Sequence, residues 1–160
     1  MKIIGSVKED LAIEKRISIT PETAKKLIEL NFSVHLEKNY GNHLGISDNT
    51  YKTLGIKIEQ NSEDVIKKSN IILQVNSIPE NKISFIDKES VLIAQYDILL
   101  SKEIINKLVK KGIKVFSLNM LPRITRAQSM DTLSSQSNLA GYMAVIESAK
   151  EYDKAVPMMM

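Results

Sequence analysis

The chain has 160 residues, 43% of them hydrophobic, enough for one domain with its own core. It contains no cysteine, which excludes disulfides and thiolate metal sites, and its opening MKIIGSVKED is broken by charge too early for a signal peptide or membrane span. The net charge of +3 comes from 22 basic and 19 acidic residues that are interspersed, and with five tyrosines and three phenylalanines the chain has no basic, aromatic-interleaved patch of the kind that binds nucleic acid.

Taken in chain order, residues 3–7 read as a buried strand. Thr20-Pro21 starts a helix, with a capping hydroxyl followed by a proline at the first helical position. Ala24, Leu27, Ile28 and Leu30 supply its apolar stripe up to Asn31. Phe32, Val34 and Leu36 alternate with Ser33, His35 and Glu37, the pattern of a half-buried strand. Ser47-Asp48 caps a short helix ending at Gly55, and residues 56–59 return as a strand. A helix over 62–68 and strands over 71–75 and 91–96 follow. Ser101 caps a helix through Lys111 that closes on Gly112, with Lys107, Lys110, Lys111 and Lys114 as its solvated face and exit. Residues 113–117 form a strand, and 133 to about 152 the longest helix. Alternating strands and helices predict an α/β fold: an open, mainly parallel sheet with flanking helices, flavodoxin-like or Rossmann-like.

The densest stretch chemically is PRITRAQSMDTLSSQSNLAGYMAV, residues 122–145. It places Arg123, Arg126, Gln128, Asp131, Ser134, Ser135 and Gln136 at short intervals before helical periodicity sets in, a loop built of directional donors and acceptors. Because it follows the strand at 113–117, it falls at the carboxyl edge of the predicted sheet, where ligands of such folds bind. His35 and His43 have no partner carboxylate and nucleophile nearby in sequence and read as structural or solvent-facing. No metal-ligand spacing is present.

This loop resembles the signature loop of the NAD(H)-binding first domain of the alpha subunit of proton-translocating NAD(P) transhydrogenases. The opening VKEDLAIEKRISITPETAKKL is similar to that family and to its relative, alanine dehydrogenase. The resemblance implies that NAD(H) is held by Arg123, Arg126, Gln128, Ser129, Asp131 and Ser134. Arg123, Gln128, Asp131 and Ser134 match the loop's arginine, glutamine, aspartate and serine. It further implies that Gln128 positions the two nicotinamides, with no acid/base side chain. It implies NADP(H) on a partner domain, a membrane-embedded partner, a homodimer, and a cytoplasmic location peripheral to the inner membrane, without direct membrane insertion. Hydride transfer between NAD(H) and NADP(H) would be coupled to proton movement by those partners. The alternatives are an alanine dehydrogenase-like amino-acid dehydrogenase domain and a non-catalytic dimerisation or binding module.

Against the dehydrogenase alternative, the family's substrate arginine has a match in Arg16, but its lysine does not, Asn76 standing there. Its histidine is missing from Ala94-Gln95-Tyr96-Asp97-Ile98. Arg16 then reads as an ion pair or backbone contact. No three of the six glycines form G-x-G-x-x-G, the turn that brings backbone amides onto a pyrophosphate. The expected organisation is an N-terminal α/β subdomain over 1–135 and a long helix and exit over 136–160. That exit would lead toward a second, NAD-binding Rossmann subdomain, so that 1–160 alone should be inactive and hold NAD weakly.

Overall fold

The computed structural model of the protein describes residues 1–97 and 101–155; the expected exit at 156–160 and Ile98 lie outside the described residues. The chain divides into two compact units, Met1–Met120 and Leu121–Met160. The first carries six strands: β1 (Ile3–Ser6), β2 (Ser33–Glu37), β3 (Lys57–Glu59), β4 (Ile71–Asn76), β5 (Val91–Gln95) and β6 (Lys114–Ser117). Every neighbouring pair is parallel, in the order β3-β2-β1-β4-β5-β6. This outward winding from β1 in both directions is the Rossmann order and decides against the flavodoxin order, which places its first strand differently. The reversal between β1 and β4 opens a crevice at the carboxyl ends of the strands.

Four helices cover the sheet: α1 (Pro21–Glu29), α2 (Asp48–Thr53), α3 (Ser62–Lys68) and α4 (Lys102–Lys110). Three begin as local chemistry dictates, with Thr20, Ser47 and Asn61 accepting from the backbone N–H groups of Thr23, Thr50 and Asp64. Two apolar clusters result. One gathers Ile4, Ile19, Val34, Leu36, Tyr40 and Tyr51; the other gathers Val7, Val65, Ile72, Leu92, Tyr96 and Leu108. Gly5 lets α3 approach β1 closely, since a Cβ there would lie 2.0 Å from Ser69 Oγ.

Four local expectations are corrected. β2 is not half-buried: His35 is 3% and Glu37 9% exposed. The strand lies inside a sheet covered on both faces, where alternation no longer marks solvent. His35 pairs with Gly5 in register and so shares the face on which α3 packs. Leu30 is 67% exposed and terminates α1 instead of joining its stripe, because at about 100° per residue it lies roughly 240° around from Ala24. Ser101 occupies the N-cap position of α4 but makes no side-chain capping bond. Its φ of −101° and ψ of 15° leave the extended region that aims a capping hydroxyl. Lys111 is not fully solvated, since its Nζ donates to the carbonyls of Ile83 and Ser84 at 2.8 and 2.6 Å. It thereby ties α4 to a 3₁₀ stretch, Glu80–Phe85, that no sequence pattern marks.

The second unit holds a 3₁₀ turn, Thr125–Met130, and α5, Thr132–Lys150. No residue of α5 is buried, and Leu139, Tyr142 and Val145 are all more than half exposed.

Candidate functional site

In the first unit the opening motif builds a crevice. The Tyr40 hydroxyl lies 2.8 Å from Ser6 Oγ and 3.0 Å from Ser18 Oγ, and accepts from the backbone N–H groups of Ser18 and Ile19. Tyr51, edge-on to Tyr40 at 6.1 Å, donates to the Ile19 carbonyl. His43 Nε2 lies 2.8 Å from the Lys15 carbonyl oxygen, a structural contact. The segment is thus pinned at several points against the sheet, and Glu9 fastens its near end. Glu9 Oε1 accepts from Val75 N at 2.7 Å and from Gln74 Nε2 at 3.1 Å, beside the register shift between β4 and β5. Burial pushes the Glu9 carboxyl up, while the Val75 and Asn76 amides oppose that shift. A cavity of about 470 Å³ opens here, lined by Lys8, Glu9, Asp10, Asn76, Gln95 and Asp97 among others.

The cations near this crevice are committed. Arg16 forms a two-point pair with Glu14, Nε to Oε1 at 2.8 Å and Nη2 to Oε2 at 2.6 Å, which holds the Glu14 carboxyl below its usual range. Lys8 Nζ lies 3.3 Å from Glu37. Asn76 and Gln95 face each other in register and both line the cavity. A small 2-oxo acid would therefore meet carboxylates and amides here, with neither lysine nor histidine at the two central positions.

The second unit holds the polar loop. Ile124 enters in extended conformation, Ala127 is buried, and Asp131 ends the 3₁₀ turn. With three residues per turn, side chains three apart share an edge. Thr125 and Gln128 accordingly share one edge, Arg126 and Ser129 another. Arg123, Ile124, Thr125, Gln128, Asp131 and Ser134 line a concavity of about 260 Å³. The structure thus brings together four of the six residues singled out in the sequence and adds Ile124 and Thr125. Arg126 and Ser129 do not line this concavity.

Asp131 organises the floor. Its Oδ1 accepts from Leu133 N at 3.0 Å and Ser134 N at 3.1 Å, capping α5, and its Oδ2 accepts from Ser134 Oγ at 2.6 Å. The Ser134 hydroxyl bond, then the Ser134 amide, holds the Asp131 carboxyl below its usual value, with a smaller contribution from the Arg123 charge. Arg123 forms no ion pair with a described residue. Arg123, with its five guanidinium N–H donors, and the carboxylate-anchored Ser134 hydroxyl thus line the same concavity. No group of three or more metal-ligating side chains occurs among the described residues, and none of their helices is long and apolar enough to cross a membrane.

A parallel sheet in Rossmann order, with a crevice at its switch point and a polar loop after its last strand, defines a Rossmann-like α/β domain. Residues 5–140 match the family described as alanine dehydrogenase/PNT, N-terminal domain, and the chain belongs to that family. It is 39% identical over 164 residues to the first portion of the NAD(P) transhydrogenase alpha subunit of Rickettsia prowazekii, covering 100% of this chain and 43% of that protein. The crystal structure of transhydrogenase from Sinorhizobium meliloti superposes with a TM-score of 0.88 at 40% identity, over 99% of this chain and 47% of that one. Alanine dehydrogenase 1 of Staphylococcus aureus is more distant, 26% identical over 147 residues, covering 92% of this chain and 38% of that protein. The chain therefore spans less than half the length of each of these relatives.

Proposed function

We propose that this chain is the opening segment of the NAD(H)-binding region of a proton-translocating NAD(P) transhydrogenase. The observation that carries the reading is the concavity in which Arg123, Gln128, Asp131 and Ser134 converge. The similarity to transhydrogenase chains over nearly the whole sequence supports it. Its size and its pairing of donor with acceptor suit a nicotinamide carboxamide. Arg123 donates its planar fork to the amide oxygen, and Asp131 and Ser134 close the other side. Gln128 carries a donor and an acceptor on an uncharged chain and reaches toward the ribose of a second nucleotide. Arg126 and Ser129 serve the remainder of the same dinucleotide from the adjacent edge of the turn.

When bound, NAD(H) supplies or takes up the hydride, so the side chains position the rings and move no proton. NADP(H) sits on a partner domain, a membrane-embedded partner moves the protons, and the assembly is a homodimer on the cytoplasmic face of the inner membrane. In the full-length protein, Arg123→Ala should slow single-turnover hydride transfer at least about tenfold, as loss of a charge-assisted bond implies. An unchanged rate in a folded variant would overturn the assignment. Gln128→Asn should leave NADH affinity within about threefold while the transfer rate falls, because only the step that needs both rings requires the longer reach.

A further inference from the structure

His35 is a buried ring with one nitrogen served and the other not. It lies on β2 between β1 and β3, and its Nδ1 is 3.1 Å from Glu59 Oε1 on the edge strand β3. Glu59 Oε2 accepts from Lys68 Nζ at 2.7 Å, at the end of α3, and that bond holds the Glu59 carboxyl below its usual range. An ionised carboxylate can only accept, so Nδ1 carries the ring proton and donates it, and Nε2 is left as a lone pair. Nε2 is buried and has no hydrogen-bond partner among the described residues. A second proton would therefore sit on an atom with nothing to receive its bond, in a site closed to water.

The cover over this ring is α3, which packs on β1, β2 and β3 and is drawn close by Gly5. It has seven residues, too few to hold a helix without tertiary support. The charged groups on the elements around the ring are Glu37 on β2, Lys57 and Glu59 on β3, and Glu63, Asp64, Lys67 and Lys68 on α3; β1 has none. Glu37 is occupied by Lys8 and Glu63 by Lys67. Burial is the largest influence against a charged ring, and Lys57 and Lys68 add to it, with Glu59 alone opposing them.

We infer that His35 is a proton-operated latch: a proton on Nε2 lifts α3 and the adjoining β3 edge from the sheet while β5 and β6 stay closed under α4. The inference is independent of any nucleotide. In the lifted form the ring meets water and takes its proton near the ordinary 6.5, whereas in the closed form it does so only at lower pH. Lifting is thus promoted as pH falls through about 6.5 and levels off below the closed-form value.

The test is hydrogen exchange of the full-length protein at pH 7.5, 6.5 and 5.5, with each rate referred to the intrinsic rate at that pH. Protection of the α3 amides should fall by up to about tenfold across this range, most of it below pH 6.5, as linkage to one proton requires. Protection of β5, Val91–Gln95, should hold within about twofold. His35→Gln and His35→Asn take up no proton, and in either variant the α3 protection should no longer vary with pH. Constant α3 protection in the wild type overturns the inference. An equal fall in β5 overturns it as well, because acid then loosens the whole domain. A folded variant that keeps the α3 response assigns it to another group and has the same force. The comparison of α3 with β5 in the wild type needs no variant, so it decides the matter even if neither substitution folds.

Discussion

The two polar stretches of this chain, one dense in charge and one mostly uncharged, have opposite fates. In the opening motif nearly every polar group is consumed internally: Glu9 by the end of β4, Arg16 by Glu14, Ser18 by Tyr40 and the Leu73 carbonyl. In the loop of the second unit only Asp131, Ser134 and Ser135 are engaged, by the start of α5, while Arg123 and Gln128 keep their side-chain bonding capacity. A motif rich in donors and acceptors is thus no guide to a binding site by itself. What separates scaffold from site is the capacity left over once the backbone and neighbouring side chains have been served. The same contrast runs through the apolar residues: the first unit packs two clusters of them to near zero exposure, whereas none is buried along α5 in the second.

Substitutions can break or sharpen that contrast. The largest effect is expected from Tyr51→Ala, which empties a fully buried aromatic site and removes a bond to Ile19. It should cost roughly 3–5 kcal/mol in chemical denaturation, as buried aromatic deletions do. Tyr40→Phe keeps the ring but strands the Ser18 and Ile19 amides, so a loss of about 1–3 kcal/mol is expected in the same measurement.

A smaller, pH-dependent effect belongs to His35. Burial holds its pKa below the ordinary 6.5, against the pull of Glu59 at 3.1 Å and with help from the charges of Lys57 and Lys68. The folded state therefore binds fewer protons than the unfolded state below that value. The stability His35 contributes is complete above about pH 6.5 and is lost as pH falls toward the lowered folded pKa. Denaturation at a series of pH values from 7.5 to about 5 should show this slope, and His35→Gln should flatten it. At the other extreme, Val145→Ala on α5, 70% exposed in wild type, should shift the unfolding free energy of this chain by no more than about 0.5 kcal/mol. A core-sized loss there would erase the distinction between the two units.

Much of the fold is legible in the sequence where the causes are local. The helix over Ser62–Lys68 and the caps at Thr20 and Ser47 follow from side chains within a turn of one another. The burial of His35 depends instead on β2 lying between β1 and β3 under α3, a long-range fact that alternation along five residues cannot carry. Glu9 hides in the charged run Lys8-Glu9-Asp10, and only the proximity of Val75 and Asn76 distinguishes it from a solvated acid. In the candidate site, residue types could be read directly, but their grouping could not. The 3₁₀ winding of Thr125–Met130 sorts Gln128 from Arg126 and Ser129, and nothing in the composition of a polar loop announces a three-residue repeat.

The central place of β1 also governs how the chain can be made. β1 lies first in sequence yet is flanked on one side by β4, and the Val7 amide finds its acceptor, Gln74, 67 residues further on. A nascent chain emerging from the ribosome can pair β1 with β2 early, but one edge of β1 stays open until about half of these residues have been synthesised. Nascent chains arrested before β4 has emerged should therefore remain open to protease along β1, and protection there should arrive together with β4. The order of translation and the order of assembly are out of step at this strand, and the interval between them is when an exposed edge of Ile3–Ser6 is available to the wrong partner.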